Sequence, residues 1–494
     1  VSNWMLGLEA VLTVDAMLML TAGVLLGILV GAIPGFTANM GIAILLPFTF
    51  AMDPLPGLML LLGLYASALY SGAIPAILIK TPGTPGAAAT VLDGFPLAAK
   101  GRAGEALTVS LVSSSVGGII GVILLALLVP FLAAWALSFG AGAYFMLAVF
   151  ALVMIASLSE GAVLRGVMAG LIGVGIATVG QDPIQAFARY TFGIENLSSG
   201  IEFVPVLVGV FGVAEALTQY EKFRKKQEMP LPIGTFSLPL RYWAKLAPTT
   251  WWSSLIGFFV GVAPGAGGTV ASFLAYNEGK RFAKGGNETF GKGDPRGVAA
   301  AEASNNSSIA GALAPMLTLG LPGDAATALL IGAITVHGLR PGPGLFEANT
   351  DLVYGLFVGL IVAYILVLIV GYAGTRLWGQ VLRVPRNILW PIVLVLCMLG
   401  SFSLRGNTFD ILVMAVFGVI GWLMMKGGVP IIPLVVGVIV GPIAESNLRR
   451  ALVVSDGSFT WLLDPIPISL LILTVLSLGL ALWRQLRSSR VSAD

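Results

Sequence analysis

The sequence predicts an all-α polytopic membrane protein of two inverted-topology repeats, with Pro-Gly-broken helices, re-entrant hairpins and about 11–12 membrane crossings. Three observations predict it. Only 10% of the 494 residues are charged and 57% are hydrophobic, with a mean hydropathy of +0.94. A soluble domain carries about 25% charged residues, so the solvent of this chain is lipid. Apolar runs such as 107–135 and 352–374 exceed the roughly 20 residues that span a bilayer as a helix. Finally, the chain repeats itself. No series of short alternating strands suggests a barrel.

Composition also excludes some functions. The net charge of +3 fits cytoplasmic loops of a membrane protein and gives no reason to expect nucleic acid. His337 and Cys397 are each the single residue of their kind, which removes a disulfide framework, thiolate metal sites and histidine-cluster chemistry. No metal or cofactor is expected beyond a coupling cation. The opening "VSNWMLGLEAVLTVDAMLML" lacks a basic n-region, so the first apolar segment is expected to be retained rather than cleaved.

The repeat organises the chain. "GILVGAIPG" (27–35) recurs as "GFFVGVAPG" (257–265), and "SGAIPAILIKTPGTPG" (71–86) as "AGALAPMLTLGLPGDA" (310–325). "VPVLVGVFGVAE" (204–215) resembles "IPLVVGVIVGPIAE" (432–445). Three anchors in the same order, at offsets between 228 and 240 residues, divide the chain into a first repeat at 1–217 and a second at 246–464. Between them lies a linker, 218–245, and after them an extra hydrophobic segment and tail, 465–494.

Loop charge orients the repeats. The linker carries Lys222, Arg224, Lys225, Lys226, Arg241 and Lys245 against Glu221 and Glu228, which places it in the cytoplasm. The tail, with Arg484, Arg487 and Arg490, follows the same rule. Loop 48–57 has no Lys or Arg, whereas its counterpart 278–297 has Lys280, Arg281, Lys284, Lys292 and Arg296. Loop 135–139 has none, and its counterpart 376–386 has Arg376, Arg383 and Arg386. Equivalent loops are thus expected on opposite sides of the membrane. Segment 246–277 should enter and return with its turn at "APGAGGT" (263–269), and 11–47 should do so from the other side, turning at "IPGFTAN" (33–39).

Four Pro-Gly breaks interrupt apolar segments: Pro34-Gly35, Pro82-Gly83, Pro264-Gly265 and Pro322-Gly323. Proline removes a helix hydrogen bond and glycine permits a turn, so each break frees backbone groups and starts a half-helix with a positive end. Paired breaks at equivalent places in two halves point to a transporter site near the membrane centre. There the chain places "AAAEASNNSS". Gly83-Thr84 and Gly323-Asp324 open two half-helices, and Ser304, Asn305, Asn306 and Ser307 add amide and hydroxyl donors suited to a carboxylate. Thr37 and Asn39 add polar groups at the first turn. Glu302, Asp324 and freed carbonyls around Gly267, Gly268 and Thr269 are candidates for a coupling ion, since a carboxylate at membrane depth is functional by default.

Structural readings stand beside these. The Gly-x-x-x-Gly pairs 27/31 and 257/261 suit helix packing, Asn305 and Asn306 suit interhelical hydrogen bonds, and Thr84 and Asp324 suit N-caps. A membrane enzyme would need a nucleophile–base or metal constellation, and a channel would not need paired broken helices.

"GAIPGFTANMGIAILLPFTF", "TPGTPGAAATVLDGFPLAAKGRAGEAL" and "GDPRGVAAAEASNNSSIAGALAPMLTLGLPGDAATALLIGAITVHGLRPGP" resemble the large membrane subunit (TctA family) of the bacterial tripartite tricarboxylate transporters. The similarity runs from about residue 20 to 450. This resemblance implies a multi-pass secondary transporter of the inner membrane. It would import citrate, other tri- or dicarboxylates, or aromatic acids, driven by a sodium or proton gradient. It also implies two partners: a small TctB-like membrane subunit of about four helices and a TctC-like periplasmic solute-binding protein that delivers the substrate.

Overall fold

The structure is a computed structural model that describes residues 2–158, 163–182, 187–222, 231–233, 238–381 and 386–491. Arg224, Lys225, Lys226 and Glu228 of the basic linker, and Arg383, lie outside these residues. Among the described residues nine helices are long and apolar enough to cross a membrane, from Val14–Ala32 to Pro465–Trp483. Shorter apolar helices accompany them at Ala38–Ala51, Val163–Ala177, Ala325–Val336 and Leu389–Ser403. Strand among the described residues is confined to one short antiparallel pair, Gly180–Gln181 with Ala188–Arg189. The chain is an all-α polytopic membrane protein.

Contacts divide it into two compact units. One contains 1–131 and 218–396, the other 132–217 and 397–494. Each unit therefore draws chain from both sequence repeats.

In the first unit two helices are buried almost along their whole length, Pro54–Ser71 and Pro295–Leu319. Each begins with proline just inside an aspartate N-cap position, Asp53 and Asp294. Proline suits that place because its missing N–H would be unpaired there anyway. Against each lies a helix carrying the Gly-x-x-x-Gly pair. On Val14–Ala32, a β carbon at Gly27 would come within 2.4 Å of Leu64 O, and one at Gly31 within 2.2 Å of Ala68 O. On Leu240–Val262, one at Gly257 would lie 2.3 Å from Ser304 O, and one at Gly261 2.4 Å from Ser308 O. These glycines let two backbones touch, as small residues do between membrane helices.

The repeated motifs make repeated contacts. After the first hairpin helix, Ile33 N–H donates to Val30 O and Gly35 turns the chain at φ +87; after its counterpart, Ala263 N–H donates to Val260 O and Gly265 turns at φ +85. Helix Ala73–Ile79 ends on Lys80 in the left-handed region, φ +56, and Pro295–Leu319 ends on Gly320 at φ +70. Beyond these caps Thr81 N–H reaches Pro75 O and Leu321 N–H reaches Pro315 O, both at 3.3 Å. Short helices then restart. The first runs through a 3₁₀ turn, Pro85–Ala87, into Ala88–Leu97; the second is Ala325–Val336.

The described part of the linker is tied to this unit. Leu231 N–H donates to Leu78 O at 3.2 Å, and Gly104 N–H to Ile233 O at 2.6 Å. Gly104 opens the long Ala103–Ala136 helix, whose Glu105 accepts from Arg102 at 2.5 Å and from the Tyr242 hydroxyl.

The second unit contains two ion-pair clusters. Buried Asp182 pairs with Arg449 at 2.8 Å and Arg189 at 3.3 Å, and both arginines also bond Glu445 at 2.6 Å. Arg405 bonds Asp410 at 2.6 Å and Glu202 at 3.0 Å.

Candidate functional site

The polar run on Pro295–Leu319 is wholly inside the first unit: Glu302, Ser304, Asn305, Asn306 and Ser307 are all 0% exposed. Successive helical residues are turned by about 100°, so the run does not lie on one face. Each side chain meets different surroundings.

Ser304 donates back to Ala300 O at 2.9 Å, on the face that touches Gly257. Ser307 donates across to Ser254 O at 2.7 Å. Asn306 sends Nδ2 to Glu302 O at 3.2 Å, while its own carbonyl accepts from the Tyr364 hydroxyl at 3.0 Å. Of these side chains only Ser307 bonds another helix; those of Ser304 and Asn306 bond back within their own, and the Asn306 Oδ1 is unpaired. Asn305 differs, because neither its Nδ2 nor its Oδ1 has a partner. It projects between two glycines: a β carbon at Gly86 would stand 2.1 Å from Oδ1, and one at Gly268 2.3 Å. Gly86 lies in the first turn after the Pro82-Gly83 break, and Gly268 in the first turn of Gly267–Phe282.

Thr84, at the N-cap position of the same restart, is 4% exposed; its hydroxyl makes no cap bond and has no partner. An unpaired buried amide or hydroxyl costs about 1–3 kcal/mol. Two of them lie together at one uncapped helix start.

The Pro322-Gly323 restart is arranged otherwise. Asp324 forms a capping box: Oδ1 accepts from Thr327 N–H at 2.8 Å, and the Asp324 N–H donates to Thr327 Oγ1 at 2.8 Å. Its other oxygen accepts from the hydroxyl of Tyr65, on Pro54–Ser71. The Gly323 carbonyl accepts from Gly265 N–H at 2.7 Å, and a β carbon at Gly267 would lie 3.9 Å from that of Asp324. The turn at 263–268 thus runs beside both restarts. Thr269 follows it on Gly267–Phe282. Thr37 caps Ala38–Leu45 by accepting from Met40 N–H at 3.3 Å, and Asn39 is half-buried on that helix.

Glu302 sits one turn before Asn306. The Thr90 hydroxyl, on Ala88–Leu97, donates to Oε1, and the Ser114 hydroxyl, on Ala103–Ala136, donates to Oε2 at 2.8 Å. A buried carboxylate with only hydroxyl donors needs a proton or a bound cation to balance it. About one turn C-terminal of Thr90, buried Asp93 accepts from Tyr276 at 2.8 Å and from the N–H groups of Gly293 and Asp294 at 2.7 Å each. It locks the entry of Pro295–Leu319 to the first restart helix.

The profile of the tripartite tricarboxylate transporter TctA family matches residues 17–436. The chain belongs to this family. A relative in Agrobacterium vitis, named "Uncharacterized 52.8 kDa protein in TAR-I ttuC' 3'region", is 36% identical over 491 residues, which cover 99% of this chain and 98% of the relative. A second from the same organism, "Uncharacterized protein in TAR-II ttuC' 3'region", is 34% identical over 235 residues, 47% of this chain and 97% of that one. No solved structure matches. The TctA family is a family of membrane transporters, and this chain is a multi-pass member of it.

The structure adds residues that the sequence reading did not name: Tyr65, Gly86, Thr90 and Ser114. Tyr65 had a signal. It precedes Asn305 by 240 residues, the same offset that relates Pro82-Gly83 to Pro322-Gly323.

Proposed function

We propose that this TctA-family chain is the large subunit of a tripartite importer in the bacterial inner membrane, carrying a tri- or dicarboxylate or a related organic acid by alternating access. The observation that carries the reading is the open helix start at Thr84 and Gly86, faced by the unpaired Asn305 amide. A carboxylate accepts hydrogen bonds only, and a helix start supplies N–H groups and a favourable dipole for it. Glu302, held by hydroxyls alone, is the group that takes the coupling sodium ion or proton. Asp324 is committed to its cap and closes the neighbouring restart. Family membership and the repeat support the remainder: a TctB-like small subunit, a TctC-like binding protein, and equivalent loops on opposite faces, with 278–297 in the cytoplasm.

Uptake of a labelled carboxylate panel (citrate, succinate, benzoate) into proteoliposomes tests this. The three components together should give saturable uptake that follows an imposed sodium or proton gradient. Glu302→Gln should abolish the gradient dependence while delivery by the binding protein persists. Flux that neither saturates nor responds to any ion gradient would instead describe a channel.

A further inference from the structure

The first unit contains the same cross-over twice. Tyr65 and Asn305 lie at equivalent places on the two central helices, and each reaches the restart of the opposite half: Tyr65 meets Asp324, and Asn305 meets Gly86. By the same 240-residue offset Asp324 corresponds to Thr84, and Thr327 to Ala87. Both cap positions have extended backbone, with φ −152 at Asp324 and φ −123 at Thr84. At one start a carboxylate of the chain receives a tyrosine hydroxyl, a threonine hydroxyl and a backbone N–H. At the other, the counterpart side chains are a buried hydroxyl and a buried amide without partners.

We propose that Asp324 is the built-in occupant of one of two equivalent carboxylate sites, and that the ligand fills the other with a single carboxylate. The inference rests on reading Asn305 and Thr84 as a carboxylate site. It adds that one carboxylate is recognised there, held as the chain holds its own Asp324. The remainder of the acid is then read elsewhere, so a monocarboxylate as small as acetate suffices to occupy this subsite. A helix start accepts one anionic group against its first-turn N–H groups, which leaves no place for a second at the same restart.

The test uses the purified full chain in detergent, with sodium acetate as the probe and sodium chloride at equal concentration as the control. Acetate should raise the Tm of the wild type by a few degrees in a saturable way. Thr84→Asp, which gives the open start its own carboxylate, should melt above the acetate-free wild type and lose the acetate response. Asp324→Ala should melt lower and regain stability in acetate beyond the wild-type response. Tm is the readout for all three, and Thr84→Asp keeps the test decisive if Asp324→Ala does not fold. An acetate response in Thr84→Asp equal to that of the wild type overturns the inference. So does an Asp324→Ala variant that folds yet gains nothing from acetate. If acetate stabilises Asp324→Ala but not the wild type, the built-in occupant stands and the carboxylate reading of the Asn305 start falls. If the wild type responds but neither variant behaves as stated, the carboxylate reading survives and this inference falls alone.

Discussion

The helix that restarts after Thr84 and the helix that restarts after Asp324 hold corresponding places in the two repeats, yet only the second caps itself. Asp324 has three donors from Tyr65 and Thr327. At the first start, Thr84 and Asn305 are buried with hydrogen-bonding capacity unused. The difference separates two uses of one piece of backbone. A start that satisfies itself contributes stability. A start that leaves polar groups unpaired, at about 1–3 kcal/mol each, is less stable alone and, on the proposed function, recovers that free energy when an anion binds. Places where local rules are broken without local compensation are where function is expected.

Substitutions at the two starts should therefore report in different quantities. The largest effect belongs to the open start. Asn305→Ala removes a donor to a charged group, worth on the order of 1.5–3 kcal/mol, so calorimetric titration of the transported acid should show roughly 10- to 100-fold weaker binding. Its Tm without ligand should hold or rise, because an unpaired buried amide is gone. The comparison would break if Asn305→Ala lowered Tm and left affinity intact, the behaviour of an interhelical tether.

Tyr65→Phe is the matching change at the closed start. It leaves Asp324 Oδ2 without its tyrosine donor and should cost about 1–3 kcal/mol of stability, read as a lower Tm, with affinity changed less than by Asn305→Ala. Equal losses of affinity from both would erase the distinction between the starts.

A third helix start sharpens the comparison with the smallest effect. Asp294, 6% exposed, caps Pro295–Leu319 and bonds Arg296 at 2.6 Å. Burial pushes its carboxyl up, but hydrogen bonds from Arg296 and Thr289 outweigh that and hold it below the ordinary aspartate value. Its contribution to stability is then full above the ordinary value and fades as the pH falls through the depressed one. Asp294→Ala should cost about 1 kcal/mol near neutral pH. The Tm gap between wild type and variant should narrow in acid, whereas a gap that widens there would refute the assignment.

The same contrast shows how far the sequence carries. The four Pro-Gly breaks, the Gly-x-x-x-Gly faces and the isolated Glu302 are legible because each violates what a plain lipid-spanning helix needs. The run Ser304–Ser307 is legible as unusual but not as divided. Only the turn of about 100° per residue, set against the neighbouring helices, gives Ser304 and Ser307 to Leu240–Val262 and Asn305 to the open start. Tyr65 is harder still. In "LLLGLYASALY" it reads as one more core aromatic, and its role depends on a contact 259 residues away. Asp324 is legible as an N-cap, but that Thr327 completes a capping box there, and that Thr84 lacks the equivalent bonds, are facts of geometry alone.

The central claim is that a substrate carboxylate sits where the Thr84 restart meets Asn305. Its most direct test is a crystal structure of the full chain with bromosuccinate, whose bromine is located by anomalous scattering. The account predicts a carboxylate within hydrogen-bond distance of Asn305 Nδ2 and the Thr84 hydroxyl, beside Gly86, with Asp324 still bonded to Tyr65. A fully occupied ligand found elsewhere, with the Asn305 amide still unpaired, would contradict it.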